Sequence, residues 1–334
     1  MTIRERQERD EEARLSPYAA LSSRSAGRAH PISTCDLRTC YQRDRDRIIH
    51  CKSFRRLKYK TQVFLTPMGD HYRTRLTHTL EVSQVARTLA RSLRLNEDLT
   101  EAAALGHDLG HTPFGHIGES TLNRLLPGGF RHNEQSLRVA ERLENAGQGL
   151  NLCRETLDGI LNHSGQNEPK TLEGWCVRRA DRIAYINHDI DDAIRGGILK
   201  PFELPRRCLS VLGETHGERI DTMIRDIVTT SMDQPFVRMS EEVRQASEEL
   251  RAFLFEYVYH DEWRKKEEAR CDYILSALYE HYLAHPEQLP AEYLEINFTE
   301  GAERAVCDFI ACMTDRYAID QFSEIFVPGA FGRR

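Results

Sequence analysis

Long apolar runs are missing from this chain of 334 residues. No stretch of eighteen consecutive apolar residues occurs, so no membrane span is expected. Close cysteine pairs are missing too. Nine cysteines fall at positions 35, 40, 51, 153, 176, 208, 271, 307 and 312, and none makes a CxxC spacing. An odd number of cysteines argues against a disulfide framework. The first twenty residues are charged and lack an apolar core, so no secretory leader is read there. A reducing cytoplasm is the expected compartment. Sustained period-2 alternation is nearly absent, as are internal repeats and low-complexity tracts, which leaves helices to build the fold. Strong net charge is lacking as well. A formal charge of -6 points globally to neither nucleic acid nor an acidic membrane surface.

What is present is helical periodicity. Residues 43–60 alternate charge with Ile48, Ile49, Phe54 and Leu57, and predict one helix; they also carry eight Lys or Arg against two Asp. From 77 to 95, His78, Val82, Val85 and Leu89 share one helix side. Further helices are predicted at 98–109, 117–126, 132–143, 151–163, 172–195, 206–214, 217–228, 240–259, 262–284 and 300–314, with a short strand at 62–65. The expected fold is all-α. Its expected organisation is a polar, surface-wrapping or partly disordered segment at 1–36, a motif-rich core at 37–200, and a plainer helical region at 201–334.

Chemistry concentrates at 107–119, where His107, His111, His116, Asp108 and Glu119 lie within thirteen residues. Imidazoles and carboxylates at that density suit a divalent metal and proton transfer better than a core. Adjacent His107 and Asp108 offer nitrogen and oxygen to a common point, and Gly110 is expected to turn the chain away. His78 can add a second nitrogen and Asp181 a second oxygen, giving a set suited to Mn, Fe, Co, Ni, Zn or Mg. No cysteine joins it, which argues against structural zinc. Alternatives stand beside two of these residues. His78 on an apolar stripe also reads as a hydrogen-bonded core histidine, and Asp181 can pair with Arg178 or Arg182.

An ordered series of segments now bears on identity: QRDRDRIIH at 42–50, FRRLKYKTQVF at 54–64, RLTH at 75–78, HDLGHTPFGHIGE at 107–119, GFRHNEQ at 129–135, ADRIAYINHDIDD at 180–192 and MTDRYA at 313–318. Over roughly residues 15–320 the chain resembles the HD superfamily, and within it the bacterial deoxynucleoside-triphosphate triphosphohydrolases, or dGTPase-like proteins. The resemblance implies an HD-domain helical fold with an additional C-terminal helical region. It implies His78, His107, Asp108 and Asp181 as metal ligands, and His116 with Glu119 as the catalytic pair, with His111 and His132 beside the substrate phosphates. Arg75 is implied as a phosphate contact, Gln62 and Val63 as the wall beneath the deoxyribose, Tyr185 as a sugar-stacking ring and Asp189 as a polar substrate contact. Tyr185 also reads as a core aromatic, and Asp189 as a cap or salt link. The implied substrate is a deoxynucleoside triphosphate, cleaved to deoxynucleoside and tripolyphosphate. Homo-oligomers and modulation by single-stranded DNA are implied partners.

Two rivals share some of these features. An HD phosphohydrolase for nucleoside monophosphates or cyclic nucleotides uses the same metal pair, but the Gln62 and Arg75 segments disfavour it. A single-stranded nucleic-acid-binding accessory protein would use the basic run at 43–60, where the aromatic stacking expected of such proteins is limited to Phe54, Tyr59 and Phe64.

Overall fold

The structure is a computed structural model that describes residues 1–62, 73–257 and 262–328, the side chains of 262–264 excepted. The described residues hold helices and two isolated bridges, Arg28 with Cys153 and Thr61 with Thr74, and no sheet. The fold is all-α. The helices are α1 (Ile3–Arg14), α2 (Cys40–His50), α3 (Lys52–Arg56), α4 (Arg75–Ser92), α5 (Glu97–Gly106), α6 (His116–Leu125), α7 (His132–Arg138) and α8 (Arg154–Asn162). They continue as α9 (Leu172–Arg195), α10 (Arg206–Leu212), α11 (His216–Ser231), α12 (Glu241–Tyr257), α13 (Glu262–Ala284), α14 (Ala291–Glu300), α15 (Ala302–Ala311) and α16 (Asp315–Phe326). None is long and apolar enough to cross a membrane among the described residues.

The chain divides into two compact units. The first comprises Met1–Cys51, Thr77–His107 and Leu150–Asp261, and the second Lys52–Leu76, Asp108–Gly149 and Glu262–Arg334.

In the first unit, α5 packs against α2, α8 and α9. Asn96 starts it by accepting the Leu99 N–H at 3.2 Å. Every residue from Ala102 to Gly106 is buried, so neighbours close in on all sides. Small side chains permit that approach. A Cβ at Gly106 would stand 2.5 Å from Cδ1 of Ile160 on α8 and 3.3 Å from Cδ1 of Ile48 on α2. The longest helix, α9, begins where Thr171 accepts the Gly174 N–H at 3.1 Å. Its buried stripe of Cys176, Val177, Ala180, Ile183, Ala184, Asn187 and Ile190 follows the 3.6-residue period, and α8, α11 and α12 also cover it. Burying each Ile of this stripe contributes roughly 2 kcal/mol.

In the second unit, α13 packs on α6, α15 and α16, with α14 against α15. Leu122, Phe130, Leu275, Leu278, Phe309 and Ile310 belong to its core. Asp308 on α15 is fully buried and accepts from Gln135 Nε2 at 2.8 Å and Arg138 Nε at 2.8 Å, both on α7. A buried carboxylate so paired fixes α7, and therefore His132 at its start, against α15.

Several expectations need correction. Residues 43–60 are not one helix: α2 stops at His50 and Cys51 is extended, with φ -75° and ψ 160°. The restart is capped from far away, because Glu144 accepts the Lys52 N–H at 3.2 Å and the Ser53 N–H at 2.7 Å. Of the strand expected at 62–65, Gln62 lies in a bend and 63–65 lie outside the described residues. Three helices were not anticipated, α1, α14 and α16.

Candidate active site

In the first unit three helices each carry one donor. His78 lies in the first turn of α4, His107 directly follows α5, and Asp181 sits on α9. His78 Nε2 stands 3.1 Å from Asp181 Oδ1, and His107 Nε2 stands 3.7 Å from the same oxygen. His78 and His107 each offer a ring nitrogen within 4.8 Å of the other, and both rings are buried. His107 Nδ1 lies 2.7 Å from the Ala104 carbonyl. A carbonyl only accepts, so the Nδ1 N–H sits there and Nε2 is the atom turned toward Asp181. Two ring nitrogens and a carboxylate oxygen gathered in this way suit a divalent cation. Burial alone would raise the Asp181 pKa, but the hydrogen bond with His78 and the field of His107 outweigh it, and the carboxyl is held well below its usual range. Asp181 is thus kept as the carboxylate anion. Its partner is His78 rather than Arg178 or Arg182.

The peptide bond from His107 to Asp108 is also the boundary between the units. In the second unit Asp108 Oδ2 accepts from Arg75 Nη1 at 2.8 Å, with both side chains buried. Gly110 lies in a turn at 107–110, where the His111 N–H donates to the Asp108 carbonyl at 3.0 Å. It also permits contact, since a Cβ there would stand 2.1 Å from the Ser136 backbone nitrogen and 2.3 Å from the Gln135 carbonyl carbon. A second turn follows at Phe114 and Gly115, both with φ of 59°. A bulky residue in the left-handed region is strained. Asp315 braces it, accepting from the Phe114 N–H at 3.0 Å and from the Thr61 N–H and hydroxyl at 2.9 and 2.7 Å.

This turn places His116 as the first residue of α6, with an exposed side chain. Its Nδ1 lies 3.3 Å from Glu119 Oε2, one turn on. The other oxygen, Oε1, lies 2.8 Å from His132 Nδ1 and accepts the His132 backbone N–H at 2.9 Å. Burial opposes charge on Glu119, but hydrogen bonds from His116 and His132 prevail and hold it far below the usual carboxylate range. Burial likewise opposes charge on His132, yet Glu119 raises its pKa. His111 stacks on His132 with ring centroids 4.9 Å apart. Burial, then the charge of Arg75, pushes His111 well below its ordinary pKa, so that ring is neutral. The site therefore sets two stacked imidazoles in opposite senses, His132 raised by Glu119 and His111 lowered by burial.

Gln62 Oε1 and Arg75 Nε and Nη2 are among the buried polar atoms of the second unit that lack a hydrogen-bond partner among the described residues. Both residues are buried, and such groups normally find a partner. Arg75 Nη2 and the Gln62 carbonyl both adjoin the Cβ position of Gly115, at 3.4 and 3.1 Å. Val63 lies outside the described residues. On α9, Tyr185 is half-buried and Asp189 fully buried, at successive turns after Asp181.

Sequence reasoning missed other participants. His188 is buried, with Nε2 3.2 Å from Glu81 Oε2 and its ring centroid 5.8 Å from that of His78. A signal existed: His188 is seven residues after Asp181, and Glu81 three after His78, so each shares a donor's helix face. His163 Nδ1 lies 2.7 Å from the Ile160 carbonyl, and its ring packs 4.9 Å from that of His107. In the basic run, Lys60 is set apart from its neighbours. It is buried, donating to the carbonyls of His111 and, at 2.9 Å, of Ala311. Burial lowers its pKa to about 8.

Comparison with known proteins follows this geometry. Residues 75–186 match the HD domain, and 237–324 match the phosphohydrolase-associated domain. A deoxyguanosinetriphosphate triphosphohydrolase-like protein of Caldanaerobacter subterraneus subsp. tengcongensis is 58% identical over 98% of this chain and 97% of its own length. One from Clostridium perfringens, strain 13, is 51% identical over 98% of each chain. Another, from Desulfatibacillum aliphaticivorans, is 49% identical over 98% of this chain and 99% of its own.

Proposed function

We propose that the chain, which belongs to the deoxyguanosinetriphosphate triphosphohydrolase-like family of HD-domain proteins, is a metal-dependent deoxynucleoside-triphosphate triphosphohydrolase. Water attacks the α-phosphorus, the bond to the 5′ oxygen breaks, and the products are a deoxynucleoside and inorganic tripolyphosphate. One observation carries this reading. The chain holds a nitrogen–oxygen donor group, His78 and His107 with Asp181, and also a histidine–carboxylate pair, His116 with Glu119, able to move a proton.

His78, His107, Asp108 and Asp181 would hold a divalent ion, which would supply Lewis-acid stabilisation of α-phosphate charge and a lowered pKa for water. Arg75 is aimed by its bond to Asp108, leaving Nε and Nη2 to meet phosphate oxygens. His116, oriented by Glu119, gives a proton to the departing 5′ oxygen. Neutral His111 donates a hydrogen bond to a phosphate oxygen, and His132, kept charged by Glu119, offsets phosphate charge. Gln62 Oε1 accepts from the 3′-hydroxyl, and Val63 leaves a 2′-hydroxyl without a partner, which selects deoxyribose. Tyr185 stacks near the sugar and Asp189 meets a polar substrate edge. Nine free cysteines among the described residues support a cytoplasmic setting. Homo-oligomeric assembly and modulation by single-stranded DNA rest on the family resemblance alone.

The test is a panel of the four deoxynucleoside triphosphates with Mn, Mg, Co, Ni, Fe or Zn, products being resolved by chromatography. Deoxynucleoside and tripolyphosphate should appear in equal amounts, and Asp108→Ala should lose both turnover and metal binding. Release of orthophosphate or pyrophosphate instead, or full turnover by Asp108→Ala, overturns the reading.

A further inference from the structure

Cys35, Cys40 and Cys153 line one cavity of about 280 Å³ in the first unit. Cys40 is the first residue of α2 and is half-buried, whereas Cys153 directly precedes α8 and is buried. Cys40 packs on the small core cluster that Cys153 forms with Tyr41 and Leu99. The two are far apart in sequence, and Arg28 fastens them together. Its backbone bridges to Cys153, and its Nη2 donates to the Cys40 carbonyl at 2.8 Å. Asp44, one turn after Cys40 on α2, pairs with Arg28 and accepts the Cys153 N–H at 2.8 Å and the Thr156 hydroxyl at 2.7 Å. Buried, charge-assisted bonds thus hold the backbone on both sides of the sulfurs.

The two thiols are not equivalent. A hydrogen bond from Cys153 outweighs burial and lowers the pKa of Cys40, while the same contact, with burial, raises that of Cys153. Arg28 also favours the Cys40 thiolate and Asp44 opposes it. The start of α2 adds its positive end, a setting that activates cysteines. Cys40 is therefore the more acidic and more exposed sulfur, with a protonated thiol behind it. Cys35 stands apart from this pair. Its sulfur accepts the Arg38 N–H at 3.4 Å, which lowers its pKa to about 7, and it lies outside the shared core cluster. Among the described residues no cysteine belongs to a group of three donors gathered closely enough for an ion, so the pair suits oxidation rather than metal binding.

We propose that Cys40 and Cys153 form a reversible thiol-oxidation site whose substrate is a small hydroperoxide. The Cys40 thiolate attacks a peroxide oxygen, the O–O bond breaks, and Cys40 becomes a sulfenic acid. The departing alkoxide, or hydroxide from hydrogen peroxide, takes up the proton that Cys40 released. The Cys153 sulfur then attacks the Cys40 sulfur, the S–O bond breaks, and hydroxide leaves with the Cys153 proton as water. Two thiols and one hydroperoxide become one disulfide, one water and one alcohol or second water. The bridge ties α2 to α8, whose Ile48 and Ile160 close on the Cβ position of Gly106 in α5. In a reducing compartment such a bridge is transient. The site does not depend on the proposed hydrolysis, so either reading can fail alone.

The full chain, reduced and then freed of reductant, is treated with equimolar hydrogen peroxide. Remaining thiols are blocked with N-ethylmaleimide, and linked peptides are identified by mass spectrometry after digestion. A peptide joining Cys40 to Cys153 should be the principal disulfide and should vanish with dithiothreitol. It should form at least about tenfold faster in the folded chain than in urea, because the fold holds the two sulfurs together. Cys40→Ser should abolish it, and Cys35→Ser should leave it intact. In Cys153→Ala, Cys40 should persist as a sulfenic acid that dimedone traps. Should that buried substitution prevent folding, the half-buried Cys40→Ser and the wild-type rate comparison still decide. Four results overturn the proposal: no such peptide from folded protein, formation no faster than in urea, a disulfide to Cys35 in its place, or a folded Cys153→Ala whose Cys40 dimedone does not label.

Discussion

Glu119 serves two imidazoles with two oxygens, His116 on one and His132 on the other. Its charge is therefore the shared element, and Glu119→Gln removes the charge at constant size. In this variant kcat should fall by roughly 10²–10⁴, the usual contribution of general acid–base catalysis, with KM little changed. Structure alone would not move the second readout. The His132 ring pKa, followed by NMR, should drop, because Glu119 is what raises it. Stability supplies a third readout, whose sign follows from linkage. The depressed pKa of Glu119 contributes stability above its unfolded value, about 4.3, and that is lost as pH falls through the folded value. The raised pKa of His132 contributes stability below its unfolded value, about 6.5, and that is lost as pH rises through the folded value. The stability gap between wild type and Glu119→Gln should be widest between about pH 4.3 and 6.5 and narrow on both sides. A gap independent of pH would show that the pair does not titrate as a unit.

Among the elements, legibility depended on where the determining contacts lie in the chain. Helix α9 could be read at 172–195 because its cap, Thr171, and its buried stripe are local. The break after α2 could not, because Glu144, which caps the restart, is about ninety residues away. Lys60 looked like one more cation in a basic run, since its carbonyl partners are at 111 and 311. Helix α1 buries none of its residues, so it had no stripe to find; its only local signal was the capping box of Thr2 and Glu5. For the candidate site, the clustered histidines of 107–119 were visible as a motif, while the Glu119 bond to His132, the Lys60 bond to the His111 carbonyl and the Asp315 brace on Phe114 were not. Gly110 is the clearest case, a glycine legible as a turn that also admits the backbone of residues 135 and 136, which no local signal shows. Gly110→Ala puts a methyl group 2.1 Å from backbone rather than from a movable side chain. It should cost roughly 3 kcal/mol or more of stability in urea titration. Gly217→Ala, on α11 with nothing within 4 Å of the new Cβ, should be neutral or stabilise by up to about 1 kcal/mol. Equal effects of the two would refute the close-approach argument.

At the scale of the whole molecule, the chain leaves the first unit after His107 and re-enters it at Leu150. His78 and His107 belong to the earlier visit and Asp181 to the later one, so the unfolded chain has no preformed donor set. A divalent ion then binds the folded form alone, and its binding free energy adds to folding. At a concentration one hundred times its dissociation constant, the added stability is about 2.7 kcal/mol. For a unit of 150–250 residues that corresponds to a rise in Tm of roughly 5–10 °C. The ranking of Mn, Co, Ni, Zn and Mg by thermal shift then orders their affinities without any assay of turnover. Asp181→Asn keeps the shape but removes the anion, and the depressed pKa of Asp181 means that the anion is what the folded protein presents. This variant should lose most of the metal-induced shift, read against its own metal-free Tm, which loss of the depressed carboxylate itself lowers at neutral pH. A full shift in Asp181→Asn would exclude that carboxylate as a ligand. Loss of the shift would tie α9 to the histidines of α4 and α5 through the cation.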